Sequence, residues 1–326
     1  MIQVCEKVVG GLFNDQVVAA EQVRFSAGGN GMHRRETWRC TGDEANYYVK
    51  LFEASDSGQF PEIAFLEGYA PGLDFVAPGR VFEGLDDAPP FANAIVTKEV
   101  PGEPLDALLQ HADPDEQYQL SAIGAVSLSR LHTIPVEGFG LLHEAAPKYP
   151  TWGAYVNGMA DSRLDRKDLL RAGGLTDHEV AAALEVVRQS ADQVVTPVLC
   201  HGDPKAAHTI ILEGHSTLLD FGRAQGNIPF RDCLQYGSFD PTYLAPGALV
   251  ETVMDGQNID VSCRRTEALI KLTGLVLYTA ATGDSHCEEL SNIIREVLTV
   301  DGLPAHLTSV SNKESFVSDP LMEFFP

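Results

Sequence analysis

The sequence predicts an α+β protein in two parts, a strand-rich N-terminal part followed by a larger, mainly helical part. Residues 17–52 contain stretches typical of strands, separated by a glycine-rich segment and by a Thr-Gly-Asp turn. From residue 105 onward, apolar residues recur at helical spacing. A chain of 326 residues with 44% hydrophobic content can bury a large core, and this length favours two domains or lobes.

The N-terminal stretches predict the first three strands of a five-stranded antiparallel sheet. The backbone N–H groups of Gly28, Gly29 and Asn30 could cover nucleotide phosphates in a turn between two strands, although such glycine clusters also form plain hairpin turns. Lys50 lies on a later strand among apolar neighbours, where we expect it to point inward toward the phosphates. An edge lysine that faces water is the alternative.

Helical and strand segments then alternate with turns along the chain. Residues 60–69 predict a helix with Pro61 in its first turn, and residues 94–96 predict a buried strand. Helical spacing predicts further helices over residues 117–133, 152–159, 164–171, 177–191, 246–254, 263–282 and 288–298. The tail, residues 316–326, is expected to pack on the last helices.

Residues 198–226 place polar side chains at fixed spacings between short apolar runs. A loop between two short strands presents Asp203 and His208, and a hairpin then delivers Asp220. One carboxylate is available to orient a hydroxyl group, and the other, with His208, to hold a divalent cation. This division of roles suits phosphoryl transfer, which needs positioning and charge neutralisation more than covalent chemistry.

This segment resembles the catalytic motif of the aminoglycoside phosphotransferase and choline kinase family, small-molecule relatives of the protein kinases. In that family His-Gly-Asp is followed after four residues by Asn and, beyond a hairpin, by a second Asp. Here His201-Gly202-Asp203 is followed by His208, as in the macrolide phosphotransferase branch, and then by Asp220. The resemblance implies a bilobal protein-kinase-like fold, with Mg²⁺ held by His208 and Asp220 although Mg²⁺ prefers oxygen ligands.

The resemblance also implies roles for the neighbours of these residues. Asp203 would orient the acceptor hydroxyl group, and Lys205 would steady the transferring phosphoryl group as the catalytic-loop lysine of protein kinases does. Asp232 would brace the loop from beneath, with His201 as a second supporting residue. A short His-Gly-Asp match alone arises by chance, so the prediction depends on the full order of the motif.

The phosphoryl donor implied by the resemblance is ATP or GTP. Lys50 would contact its phosphates, and Glu62 would pair with Lys50, with an exposed glutamate at a helix start as the alternative. At the hinge between the lobes, the C=O of Lys98 and the N–H of Val100 would meet the edge of the purine. Side chains contribute little there, so the sequence does not distinguish adenine from guanine.

The resemblance covers nearly the whole chain and divides it into an N-terminal nucleotide-binding lobe with the hinge, residues 1–102, and a C-terminal lobe, residues 103–326. It implies O-phosphorylation of a hydroxyl group on a small molecule, with an antibiotic as the first acceptor class. A metabolite kinase acting on choline, homoserine or a sugar is an alternative, and a nucleotide-binding pseudokinase that acts as a scaffold is another. Candidate residues of the acceptor pocket are Trp152, Tyr155, Tyr236, Asp240, Tyr243, Asp284, Glu288 and Glu289.

Composition limits the partners and the compartment. The formal net charge of −23 argues against nucleic acid and would suit a cationic acceptor, unless it serves solubility alone. No run approaches the ~20 apolar residues of a spanning helix, so we expect no membrane partner and a cytoplasmic location. Six cysteines without a paired spacing indicate isolated thiols in a reducing compartment. A monomer and a homodimer both remain open.

Overall fold

The computed structural model consists of an N-terminal sheet with helices on both faces, followed by packed helices and two small sheets. It describes residues 1–29, 32–85, 88–142, 148–236, 252–254, 257, 259–283, 286–300 and 303. The strands are β1 Val17–Gly29, β2 Met32–Gly42, β3 Asn46–Glu53, β4 Gly79–Glu83, β5 Phe91–Lys98, β6 Glu103–Pro104, β7 Gly140–Leu141, β8 Val198–Cys200, β9 Thr209–Leu212, β10 His215–Leu218 and β11 Gln225–Asn227. The helices are α1 Ile2–Phe13, α2 Phe60–Gly68, α3 Leu105–Leu109, α4 Pro114–Leu131, α5 Trp152–Leu164, α6 Lys167–Ala172, α7 Asp177–Gln189, α8 Phe230–Tyr236, α9 Val261–Thr282 and α10 Cys287–Thr299.

The N-terminal sheet has five strands in the order β1-β2-β3-β5-β4, and every neighbouring pair is antiparallel. This confirms the predicted five-stranded antiparallel sheet. β3 lies at its centre, where Lys50 is opposite Thr37 on one side and Ile95 on the other. The central position fixes the register of β3, and with it the face on which each of its side chains lies.

The two faces of this sheet are covered by different helices. On one face α1 buries Cys5, Val8 and Val9 against the sheet. On the opposite face Ile63 of α2 packs against Phe52 and Ile95. Because side chains alternate along a strand, Lys50 and Phe52 of β3 share the α2 face.

The crossing to the helical part lies between β5 and β6. Gly102 in this crossing has a φ of +123°, and a Cβ there would lie 2.5 Å from the carbonyl oxygen of Ile211. Only glycine therefore fits this position without strain. The division of the chain at residue 102 stays a prediction.

The helical part is organised around α9, which packs against α5, α6, α7, α8 and α10. The predicted helices from residue 117 to residue 191 are present with shifted ends, and so are the two at 263–282 and 288–298. The helix predicted at 246–254 is described only at residues 252–254, and the tail at 316–326 lies outside the described residues. In the described parts of the chain, no helix has the length and apolar character needed to cross a bilayer.

Two small sheets hold the segment that carries the motif. One has the order β10-β9-β6, and the other has the order β7-β11-β8. The loop with Asp203 therefore begins at the end of β8 in one sheet and ends at β9 in the other. β10 ends at Leu218, and Asp220 is the second residue after it.

Candidate active site

Lys50 lies between two carboxylates at the boundary of the sheet and the helical part. Its Nζ is 2.9 Å from Oε1 and 3.1 Å from Oε2 of Glu62, and 3.0 Å from Oδ1 of Asp220. β3 directs Lys50 toward α2, whose first turn carries Glu62. One ammonium group thus joins the N-terminal sheet, α2 and the segment that follows the β9–β10 hairpin.

The three charges shift one another's pKa values. Burial acts to lower the pKa of Lys50, but Asp220 and Glu62 outweigh it and raise that pKa, so the lysine stays charged. Burial acts to raise the pKa of Asp220, yet the neighbouring Lys50 and His208 hold it well below its usual range. The pKa of Glu62 is raised by burial and by the Asp220 charge despite the contact with Lys50. Asp220 is therefore the firmly ionised carboxylate of the pair.

The loop after β8 is held from below by Asp232 of α8. The backbone N–H groups of His201 and Gly202 each donate to this carboxylate at 2.8 Å, and His132 Nε2 lies 2.8 Å from its Oδ2. Gly202 has a φ of +80°, and a Cβ there would lie 1.9 Å from the carbonyl oxygen of Arg223. Burial acts to raise the pKa of Asp232, but the hydrogen bond and charge of His132, the neighbouring His201 ring and the N–H of Gly202 together lower it.

His201 supports the same loop from within. It is fully buried, its Nε2 lies 2.7 Å from the carbonyl oxygen of Leu219, and its ring packs 4.5 Å from the ring of Phe221. Burial lowers the pKa of His201, and the neighbouring His208 lowers it further. A neutral His201 thus ties the loop to the residue that precedes Asp220.

Asp203 and Lys205 lie side by side at the open end of the loop. Lys205 Nζ is 3.2 Å from Asp203 Oδ2, and both side chains are about one-fifth exposed, at 19% and 22%. The backbone N–H of Asp203 also points at Nδ1 of His201, at 3.3 Å. A carboxylate with partial access to solvent and a fixed backbone can accept a hydrogen bond from a hydroxyl group brought to it.

His208 faces Asp220 across a short gap. Its Nδ1 lies 2.9 Å from the carbonyl oxygen of Asp203, and its Nε2 lies 3.7 Å from Oδ2 of Asp220. When Nδ1–H donates to that carbonyl group, the lone pair of Nε2 is directed away from the loop and is available to a metal ion. Asp220 has a φ of +59°, a left-handed conformation that few residues other than glycine, asparagine and aspartate adopt readily.

The donor set formed by His208 and Asp220 fits a divalent cation. One imidazole nitrogen and one carboxylate oxygen face each other, and the other Asp220 oxygen is engaged by Lys50. Carboxylate suits Mg²⁺, whereas imidazole suits first-row transition metals better, so Mn²⁺ fits this pair of donors as well as Mg²⁺ does.

At the crossing between the two parts, the carboxylate of Glu99 accepts hydrogen bonds from side chains of β2 and β3. Arg39 Nε, Asn46 Nδ2 and the Tyr48 hydroxyl group all donate to its carboxylate, at 3.0, 2.5 and 3.2 Å. Glu99 lies between the two residues predicted to meet the purine. Its own N–H donates to the Asn46 carbonyl group at 2.9 Å, and the N–H of Lys98 donates to that of Pro78 at 2.8 Å.

The contacts predicted for the C=O of Lys98 and the N–H of Val100 with the purine stay predictions. Sequence reasoning missed Tyr48. The signal was present, because Tyr48 precedes Lys50 by two residues and so shares its face of β3.

The glycine-rich turn is only partly described. Gly28 and Gly29 end β1, and Gly29 is opposite Met32 of β2. Asn30 lies outside the described residues. Gly28 and Gly29 therefore lie where β1 ends and its pairing with β2 begins, and the contact of Gly28, Gly29 and Asn30 with phosphates stays a prediction.

The residues proposed from sequence for the acceptor pocket have different positions. Trp152 and Tyr155 are 1% and 3% exposed and pack with Phe139 in the core, so they do not line an open pocket. Glu288 and Glu289 lie on α10 beside an open surface depression lined by that helix alone. Asp240, Tyr243, Asp284 and the side chain of Tyr236 lie outside the described residues.

A buried polar cluster, which the sequence reasoning missed, centres on Glu267 of α9. Arg231 Nη1 lies 2.7 Å from Glu267 Oε1, and the Tyr155 hydroxyl group lies 3.1 Å from Oε2. Asn227 Nδ2 donates to the Tyr155 oxygen at 3.1 Å. Burial raises the pKa of Glu267 and that of Tyr155, and it acts to lower that of Arg231, which its contacts with Glu267 nevertheless raise.

Comparison with known families places the site in context. A family profile described as the phosphotransferase enzyme family (APH) matches residues 26–236, which is more than half of the chain. This range includes Lys50, Glu62, the catalytic loop and Asp220. The chain belongs to this phosphotransferase family. The comparison with curated proteins gives no match.

Solved structures of phosphotransferases share the fold at low sequence identity. A thermostable mutant of aminoglycoside phosphotransferase APH(4)-Ia, in ternary complex with AMP-PNP and hygromycin B, aligns at 14% identity and a TM-score of 0.67, covering 90% of this chain and 97% of that chain. A candidate fructosamine-3-kinase from Thermobifida fusca aligns at 16% identity and a TM-score of 0.62, covering 92% and 100%. Macrolide 2'-phosphotransferase MphH from Brachybacterium faecium aligns at 15% identity and a TM-score of 0.56, covering 90% and 97%. The bilobal kinase-like fold predicted for this phosphotransferase is thereby confirmed, and so is its class as a small-molecule phosphotransferase.

Proposed function

We propose that this phosphotransferase transfers the γ-phosphoryl group of ATP or GTP to a hydroxyl group of a small molecule, with a divalent cation bound at His208 and Asp220. One observation carries the proposal. Lys50, paired with Glu62 and Asp220, lies beside a catalytic loop on which His208 faces the same Asp220. Phosphoryl transfer requires these groups together, a fixed cation for the phosphates and ligands for a metal ion.

Asp203 orients the acceptor in this proposal. Its carboxylate accepts a hydrogen bond from the acceptor hydroxyl group and takes up the proton as the oxygen bonds to the γ-phosphorus atom. The bond between that phosphorus and the β–γ bridging oxygen breaks, which gives a phosphate monoester and ADP or GDP. Lys205, 3.2 Å from Asp203, lies where its ammonium group can offset charge on the transferring phosphoryl oxygens.

The remaining residues hold the donor. Lys50 contacts the phosphates and Glu62 keeps the ammonium group in place. A bound Mg²⁺ supplies charge neutralisation to the phosphate oxygens, and His208 and Asp220 are the side chains that would hold it. Lys98 and Val100 offer backbone groups to the purine, and the end of β1 with Gly28 and Gly29 covers the phosphates.

Two acceptor classes are supported by the similar structures. Hygromycin B bound to one of them and the macrolide 2'-phosphotransferase name of another favour an antibiotic as the acceptor. The candidate fructosamine-3-kinase favours a metabolite, in particular a sugar derivative. We propose the antibiotic class first and the sugar class as its alternative.

A panel of hydroxyl compounds tests the proposal directly. Aminoglycosides, macrolides, peptide and nucleoside antibiotics, choline, homoserine and glycated amines are each incubated with the protein, Mg²⁺ and either ATP or GTP. Mass spectrometry then scores the gain of one phosphoryl group. We expect one class of acceptor to gain a phosphoryl group, and we expect ATP and GTP to differ in effectiveness as donors. The Asp203→Asn protein should be inactive.

Three results distinguish the alternatives. Phosphorylation of antibiotics supports the first acceptor class, and phosphorylation of choline, homoserine or glycated amines alone replaces it with a metabolite kinase. Nucleotide binding by calorimetry without turnover on any compound would instead favour a pseudokinase that acts as a scaffold.

A further inference from the structure

Arg35 of β2 lies between the two groups that the proposed function assigns to the donor phosphates. Its backbone is opposite Ser26 of β1, which precedes Gly28 by two residues. On its other side it is opposite Phe52 of β3, which follows Lys50 by two residues. Such diagonal neighbours in a sheet are roughly 7–8 Å apart, within reach of a long side chain. The register therefore places Arg35 close to both the glycine-rich segment and Lys50.

The side chain of Arg35 lies on the face of the sheet that carries Lys50. Its Cζ atom is 5.8 Å from the centre of the Phe52 ring, and Phe52 packs against Ile63 of α2. Lys50, on the same face of β3, pairs with Glu62 of that helix. Arg35 and Lys50 therefore both extend from the sheet toward α2, which brings two cations to one side of the sheet.

A buried carboxylate holds the guanidinium group of Arg35 in place. The oxygens of Asp56 lie 2.5 Å from Nε and 2.9 Å from Nη2, and Asp56 also accepts from the N–H of Gly58 at 2.9 Å. A Cβ at Gly58 would lie 2.2 Å from Nη2, so the guanidinium group packs directly on this glycine. Among the described contacts of Arg35, no hydrogen bond engages Nη1. The bidentate pair thus leaves one arm of the guanidinium group for a further acceptor.

Arg35 is accessible to a ligand, although its partner is not. The Arg35 side chain is 37% exposed, whereas that of Asp56 is 1% exposed. The hydrogen bond with Asp56 raises the pKa of Arg35 against the effect of burial, and the charges of Asp220 and Glu62 raise it further. A charged guanidinium group that is both oriented and partly exposed suits the recognition of phosphate oxygens.

We infer that Arg35 binds an oxygen of the donor's phosphate chain, as a second cation beside Lys50. The inference rests on the proposed function and adds a binding residue to its donor site. Asp56 would orient Arg35 in the way that Glu62 orients Lys50. The alternative is an ion pair that only ties β2 to the turn before α2.

Two variants that break the same ion pair test the inference, because only one of them removes the cation. Arg35→Met leaves no charge to meet a phosphate, whereas Asp56→Asn keeps the guanidinium group. Calorimetry measures the affinity of each variant for AMP-PNP and GMP-PNP with Mg²⁺, and competition with the same analogues measures that for adenosine and guanosine. Arg188→Met is the matched control, since Arg188 is also 37% exposed and pairs with Asp161 in the helical part.

We expect Arg35→Met to weaken binding of the accepted triphosphate analogue by about ten- to one-hundredfold, through the loss of a charge-assisted hydrogen bond. The affinity for the nucleoside, which has no phosphate, should stay within about twofold of that of the parent. Asp56→Asn should weaken binding of the analogue by less than about fivefold, and Arg188→Met should leave it unchanged. If Arg35→Met does not fold because Asp56 is left buried without its cation, the double variant Arg35→Met/Asp56→Asn removes that charge and replaces it in the measurement.

Three results would overturn the inference. They are an affinity of Arg35→Met for the triphosphate analogue within about threefold of the parent, an equal loss in Asp56→Asn, and a loss that extends equally to the nucleoside. In each case the parent protein still binds the nucleotide, so the proposed function is unaffected. If the parent binds neither AMP-PNP nor GMP-PNP, the proposed function fails, and the inference fails with it.

Discussion

At the scale of single residues, a small number of side chains form the candidate site, and several of them contact more than one partner. Asp203 is the residue with the simplest expected effect, because its carboxylate pairs with Lys205, whereas Lys50 pairs with Glu62 and Asp220. We expect Asp203→Asn to lower kcat by about 10²- to 10⁴-fold while the affinity for Mg²⁺ and AMP-PNP, measured by calorimetry, changes little. Turnover within tenfold of the parent protein would place the acceptor-orienting role on another residue.

Lys50 forms ion pairs with Glu62 and Asp220. Its replacement should affect both turnover and the stability of the fold. We expect Lys50→Met to lower kcat by at least about 100-fold, because the phosphates lose their fixed cation. The free energy of unfolding should fall by about 2 kcal/mol, since Glu62 is left buried without its cation. This value is discounted because the Asp220 side chain is 35% exposed and regains water. Urea denaturation and steady-state kinetics measure the two effects.

The double variant Lys50→Met/Glu62→Gln is the control for that prediction. It removes the buried negative charge along with the lysine, so most of the lost stability should return while the protein stays inactive. A single variant as stable as the parent would mean that the three charges contribute nothing to the stability of the fold.

Two substitutions at His208 test whether its side chain is a ligand of the metal ion. We expect His208→Asn to keep kcat/KM within about tenfold of the parent, because an amide oxygen can replace the imidazole nitrogen as a donor. His208→Ala, which offers no donor, should lose at least about 100-fold. Mn²⁺ binding followed by electron paramagnetic resonance should weaken in the same order. If both variants match the parent, His208 only packs the loop.

At the scale of elements, the catalytic loop is a short connection between two small sheets, and α8 fixes its position. We expect Asp232→Asn to lower the free energy of unfolding by about 2–4 kcal/mol, because an amide oxygen cannot accept from His201, Gly202 and His132 together. Asp165→Asn, an exposed position at the end of α5, is the control for a lost surface charge. Chemical denaturation provides the comparison, and equal stability of the two variants would contradict the bracing role.

The elements that sequence reasoning predicted are those whose pattern is local. The spacing from His201 to Asp220 predicted the strand, loop and hairpin, because each apolar run is bounded by a turn within a few residues. α1 was not predicted, since its buried Cys5, Val8 and Val9 form a narrow face that matters only once the sheet lies beneath it.

The polar cluster of α9 could not be predicted for a different reason. Its contacts join Glu267 to residues 36 and 112 positions away, and a glutamate inside a helical apolar pattern does not reveal which partner it has. Trp152 and Tyr155 show the same limit. Their residue types suit both a pocket and a core, and only the packing with Phe139 places them in the core.

At the scale of the whole molecule, α10, the last described helix, is joined to the middle of the helical part by contacts with α7 and with the residues just before it. Arg295 of α10 donates to Glu179 of α7 at 2.6 Å and to the Gly174 carbonyl group at 2.6 Å. Glu179 also accepts from the N–H of Thr176 at the start of α7, at 2.7 Å. Arg295, with Thr176, lowers the pKa of Glu179 from 4.5 to about 2.

This shift predicts a dependence of stability on pH. A carboxyl group whose pKa is lowered in the folded state stabilises the fold at pH values above 4.5 and loses that contribution as the pH falls toward 2. Because Glu179 and Arg295 are partly exposed, we expect about 1 kcal/mol. Glu179→Gln should therefore be less stable than the parent by this amount at pH 7 and equally stable near pH 2. A Glu185→Gln control on the exposed face of α7 should show no such convergence of urea midpoints.

The left-handed backbone at Asp220 has a consequence for how this protein would decay in evolution. Asparagine and glycine are among the residues that tolerate a φ of +59° best, and each is one nucleotide substitution away from both aspartate codons. In a duplicated gene that is not under selection for turnover, Asp220→Asn and Asp220→Gly each need a single nucleotide change. Both remove the carboxylate and keep a residue that tolerates this backbone conformation, so the chain can still fold. A copy that has lost its chemistry would persist as a folded paralogue, and the residue at position 220 would be the mark by which to recognise it.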